Sequence, residues 1–151
     1  MNLEEKKSVL DKLYYEMWML NESFFQPNYV YVPSSRCGVE NNALLESFLI
    51  HARNLFDFFQ DKQYPDDINY FDFGVRKIVI ELPFNNGMHE INKYLAHLTK
   101  ERIEKEKPKW NRGKIRENIN NGLAEFLNNL PVDIFPTKEG RVKSDFESLL
   151  K

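Results

Sequence analysis

Apolar residues recur at helical spacing through four separate stretches of this chain, and that periodicity restricts its fold more than any other property. The first stretch runs from Asn2 or Leu3 to about Phe25. There Val9, Leu10, Leu13, Tyr14, Met17, Leu20 and Phe24 project onto one arc, with Trp18 at its edge and Glu16, Glu22 and Ser23 away from it. The second begins near Glu40–Asn42 and runs to about Gln60. Its wide apolar face (Leu44, Phe48, Ala52, Leu55, Phe56, Phe59) marks a central element touching several neighbours. The third starts at Asn85 or Asn86, either of which can cap it, and stops at about Lys107, before Pro108. The fourth, from about Asn111 to Leu130, carries Ile115, Ile119, Leu123, Phe126 and Leu130 at helical spacing. Gly122 flanks that face, where a small residue permits close approach of another helix. A short terminal helix, about Ser144 to Leu150, can cap the assembly with Phe146, Leu149 and Leu150.

Four amphipathic helices bury their faces most simply as an all-α four-helix bundle, and no repeat or composition shift divides 1–151 into more than one domain. Pro27, Pro108 and Pro131 supply the stops. Two segments break the helical pattern. NYVYV (28–32) alternates like a strand but has no obvious partner, and it reads as an ordered loop lying along the bundle. The long 61–84 connection contains VRKIVIEL (75–82), whose β-rich composition is compatible with a small β element pairing with 28–32.

Composition excludes some functions and leaves others open. Hydrophobic content of 42% is enough for a core, and a net charge of −2 gives no global attraction to nucleic acid or membrane. No stretch reaches the roughly 18 apolar residues of a membrane helix. The N-terminal MNLEEKKS lacks the apolar run of a secretory signal. The single cysteine, Cys37, rules out an internal disulfide and favours a cytoplasmic location, where lone thiols are commoner. As a nucleophile Cys37 has no recognisable partner in sequence.

Candidate chemistry concentrates on the second helix, in HARNLFDFF (51–59). Arg53 and Asp57 lie four apart on one face, with Asn54 adjacent and Glu46 two turns earlier. One reading is a solvated stripe whose ion pair contributes about 0.3–0.5 kcal/mol. The other is a cleft in which Arg53 holds a phosphate or carboxylate with its planar fork. His51 borders this stripe, either packed against a hydrogen-bond acceptor or catalytic. On the third helix Ile91, Leu95 and Leu98 form an apolar line that Arg102 continues, with Thr99 on its flank. A guanidinium there must snorkel out or meet a carboxylate such as Asp57 or Glu46, which would create a polar seam between the second and third helices. His97 projects away from that line.

No metal site or cofactor is expected. His51, His89 and His97 form no ligand pattern, and HExxH, GxGxxG, Walker A and GxSxG segments are absent. The segment KERIEKEKPKWNRGKIR (100–116) holds eight Lys/Arg against three Asp/Glu, with Trp110 in its middle. Basic side chains beside an exposed aromatic can grip RNA phosphates and stack a base, whereas a solvated helix end explains the same charges without a ligand.

The order of elements, with ALLESFLIHARNLFDFF on the second helix and NKYLAHLT on the third, resembles small uncharacterised microbial all-α proteins. More distantly it is similar to the HEPN-type helical bundles of RNA-cleavage, defence and toxin systems. That resemblance implies an RNA- or defence-associated protein that forms a homodimer. Active HEPN ribonucleases carry a histidine soon after the arginine matched here by Arg53-Asn54, but this chain has Phe58, Phe59 and Gln60 at those positions. The expectation is therefore a non-catalytic binding module. The alternative is an enzyme or small-ligand binder using the polar seam.

Overall fold

The computed structural model describes residues 1–25, 36–61, 64–81, 83, 91, 95, 100 and 109–151. The fold is all-α, with no strand among the described residues. Helix α1 (Leu3–Phe25) opens with a reciprocal cap: Asn2 Oδ1 accepts from the Glu5 amide at 2.9 Å, and Glu5 Oε2 accepts from the Asn2 amide at 2.8 Å. The expected apolar arc buries Leu10, Leu13, Met17 and Leu20. Helix α2 (Arg36–Phe58) starts several residues earlier than the apolar pattern indicates, because its first turns contribute little to the core. Its buried face is Phe48, Leu49, Ala52, Leu55 and Phe58, and α1 against α2 is the most extensive helix pairing described.

Ile91, Leu95 and Lys100 are helical, at positions where the sequence puts its third helix. Ile91 is buried and Leu95 packs against the core. Thr99, Arg102, His89 and His97 lie outside the described residues. Helix α3 (Arg112–Asn129) is capped by Asn111, whose Oδ1 accepts from the Lys114 amide at 3.0 Å. It buries Ile115, Ile119, Leu123, Phe126 and Leu127. The short α4 (Lys143–Ser148) brings Phe146 into the core beneath Tyr14, with their rings edge to face at 5.3 Å.

The described part of the connection after α2, 64–81, is ordered without being β. A single helical turn, Tyr70–Phe73, is capped by Asn69 and Asp72 and ends at Gly74 (φ 78°), where the left-handed backbone suits glycine. Phe73 then meets the edge of Phe126 at 5.2 Å, beside Phe58 at 5.1 Å. Residues 75–81 are irregular, although Val75, Ile78 and Ile80 are buried. Their β-rich composition therefore records burial, and the proposed partner 28–32 lies outside the described residues. Among the described residues, the close neighbour at Gly122 is the Ile80 side chain.

Candidate functional site

The polar residues of α2 do not form a uniform solvated stripe, because α1 reaches across to them. His51 is 9% exposed, and its Nδ1 lies 2.7 Å from Glu16 Oε2. A carboxylate only accepts, so the imidazole donates through Nδ1. The same Glu16 oxygen accepts from Asn54 Nδ2 at 3.1 Å. Tyr15 stands edge-on to the imidazole at 5.8 Å. His51 is thus a packed, hydrogen-bonded residue whose orientation is set from α1. The periodicity of α1 places Glu16 off the core arc and gives no hint that it turns toward α2.

Arg53 and Asp57 pair as their spacing predicts, but imperfectly. Arg53 Nε stands 3.6 Å from Asp57 Oδ2, within ion-pair reach but beyond a hydrogen bond. The Nε atom is buried and has no hydrogen-bond partner among the described residues. Burial raises the Asp57 carboxyl above its ordinary value, and the opposing pull of the Arg53 guanidinium does not cancel that effect. Both charges are therefore under-compensated, although about two-fifths of each side chain remains exposed.

These groups open into a cleft of about 410 Å³. One wall is α1, with Val9, Lys12, Leu13 and Glu16, and the second is α2, with Arg53, Asn54, Leu55, Asp57 and Phe58. The third comes from the following connection, with Gln60, Asp61, Tyr64, Asp67, Ile68 and Asn69. That wall is held by local bonds: Asn69 Nδ2 donates to the Gln60 carbonyl at 3.0 Å, and the Tyr64 amide donates to Asp67 Oδ2 at 2.8 Å. The described lining sets nine polar or charged side chains, and Tyr64, among Val9, Leu13, Leu55, Phe58 and Ile68, in the volume range of a small-molecule site. No protein-family model, curated protein or solved structure matches this chain. The site must be read from its own chemistry.

Against the sequence expectations, Arg53, Asn54 and Asp57 do converge on one concave surface. The partners described for them are α1 and the 60–69 connection, not a third helix. Glu46 is exposed and does not line the cleft. Sequence reasoning missed Lys12, Glu16, Asp61 and Asp67. Cys37 lies in the first turn of α2. No group of three or more His, Cys, Asp or Glu among the described residues could hold a metal ion. No helix among them is long and apolar enough to cross a membrane.

Of the basic segment, Lys100 and 109–116 are described; Lys100 and Lys109 are exposed, whereas Trp110, Arg112 and Arg116 are engaged within the molecule. Trp110, expected as an exposed stacking surface, is half-buried and packs against the core. Arg112 Nη2 donates to the carbonyls of Ser23 (2.6 Å) and Phe24 (3.0 Å), with its guanidinium 5.1 Å from the Phe48 ring centre. Arg116 Nε donates to Asn21 Oδ1 at 2.6 Å and lies 4.7 Å from the Phe25 ring centre. Burial lowers both arginines below their ordinary values, the opposite of an exposed phosphate grip. Lys114 pairs with Glu117 at 3.1 Å.

Proposed function

We propose that this chain is a non-catalytic binding module for a small molecule, with the cleft between α1, α2 and the 60–69 connection as its site. The observation that carries this reading is the convergence of Arg53, Asn54 and Asp57 with Lys12 and Glu16 of α1 around a space of about 410 Å³. Arg53 and Asn54, the pair through which the chain resembles HEPN bundles, both line it. Binding is favoured over catalysis because His51, the catalytic candidate of the sequence, is not among the described residues that line the cleft. An RNA role through 100–116 has less support, since Trp110, Arg112 and Arg116 are committed to packing and internal hydrogen bonds.

Amide chemical-shift mapping of the full chain against a set of small charged molecules tests this proposal. Perturbations clustered at 9–16, 53–61 and 64–69, abolished by Arg53→Gln, are the expected result. Shifts confined to 109–116 on adding an RNA oligonucleotide, weakening steeply with salt, would transfer the function to the basic segment instead.

A further inference from the structure

The charges in the cleft carry information about the ligand. Among the described residues, four carboxylates (Glu16, Asp57, Asp61 and Asp67) and two cations (Lys12 and Arg53) line it. Glu16 already serves His51 and Asn54, and Asp67 accepts from the Tyr64 amide, so their oxygens are partly occupied. Arg53 and Asp57 differ from these. They face each other at 3.6 Å, beyond hydrogen-bond reach, and Arg53 Nε is buried with no acceptor among the described residues. Leaving a charged donor unsatisfied is costly, so an acceptor that draws the guanidinium out of this position is favoured. An anion alone would then leave Asp57 without its cation in a site already rich in carboxylates. A cation alone would satisfy Asp57 and leave Arg53 unsatisfied. A molecule bearing both charges answers both groups, and Val9, Leu13, Leu55 and Phe58 offer its body an apolar wall.

We propose that the ligand is a small zwitterion of the amino-acid class, its carboxylate taken by Arg53 and its ammonium by Asp57. Arginine's two parallel donors match a carboxylate bidentately, and Asp57 accepts from the ammonium. This inference rests on the cleft being the binding site.

The test is calorimetric titration, with amide-shift mapping, of the full chain against three probes sharing one apolar body: L-leucine, 3-methylbutylamine (the same body without the carboxylate) and 4-methylpentanoate (without the amine). L-leucine is expected to shift cleft residues, with each monofunctional probe weaker by about ten-fold or more. Arg53→Gln should erase the advantage of L-leucine over the amine, and Asp57→Asn its advantage over the acid. Circular dichroism confirms that each variant keeps its helical fold. If the amine or the acid binds the cleft as tightly as L-leucine, the zwitterion assignment fails while the cleft survives as a site. If no probe perturbs the cleft, both the assignment and the proposed function are overturned.

Discussion

Gly122 and Asp57 are the residues where one atom decides the outcome. A Cβ built on Gly122 would lie 2.3 Å from Ile80 Cδ1 and 2.7 Å from Ile80 Cγ1. Alanine gains about 1 kcal/mol of helix propensity over glycine, yet overpacking costs about 1–3 kcal/mol. Gly122→Ala is expected to lose up to about 2 kcal/mol in urea unfolding. Trimming the clash with Ile80→Ala should make the two substitutions strongly non-additive. Asp57 gives a pH signature. Its folded-state carboxyl holds its proton more tightly than the unfolded one, because burial outweighs Arg53. Between the ordinary and the raised value the folded chain carries the extra proton, so this group's contribution to stability falls as pH rises. Urea midpoints at about pH 4 and about pH 7 should therefore show Asp57→Asn gaining relative to the parent as pH rises. A constant difference between parent and variant would contradict this.

At the scale of elements, helix ends and chain segments are secured by side chains from distant parts of the sequence. Helix α1 has no basic residue in its own last turn, and Arg112 at the start of α3 supplies one, donating to two of its final carbonyls. Arg112→Ala should cost about 1–3 kcal/mol by chemical denaturation, chiefly through those charged hydrogen bonds and the packing on Phe24 and Phe48. The 135–142 segment is tied to α1 by Asp11, whose side chain is 4% exposed. Thr137 Oγ1, the Glu139 amide and Arg141 Nη1 all donate to that carboxylate, at 2.6, 3.1 and 2.8 Å. Arg141 also lies over the Tyr14 ring. Asp11→Ala leaves the buried Thr137 hydroxyl and the Glu139 amide without their acceptor and leaves Arg141 with Glu139 alone, with an expected loss of about 1–3 kcal/mol. Protection of the 137–141 amides from hydrogen exchange should fall before that of α3.

For the whole molecule, the cleft joins α1, α2 and the 60–69 connection, so a ligand seated there links three parts of the chain. Mass action then predicts stabilisation of about 2.7 kcal/mol at a hundred-fold excess over Kd. A thermal melt with saturating L-leucine should shift upward for the parent and by clearly less for Arg53→Gln. The aromatic cluster of Phe58, Phe59, Phe73 and Phe126 closes one side of this arrangement, packing α2, the Tyr70–Phe73 turn and α3 together. A change at Phe126 would therefore be felt at Phe58, which also lines the cleft.

Periodicity alone determined the all-α class, the core faces of α1 and α3, and the stretch of α2 that carries Arg53 and Asp57, because helical spacing is a local property. The same local rule predicted that Arg53 and Asp57 would meet. Tertiary structure decided the rest. Glu16 reads as a solvent-facing residue of α1 until α2 is laid beside it, and only then does it orient His51 and Asn54. The 75–81 stretch reads as β because burial and β propensity select the same branched side chains, and only packing against α3 separates the two. Trp110, Arg112 and Arg116 read either as a nucleic-acid surface or as a solvated helix end, because charge is visible in sequence and its partners are not. The acceptors they found, main-chain carbonyls at the end of α1 and the amide of Asn21, exist only once distant segments are brought together.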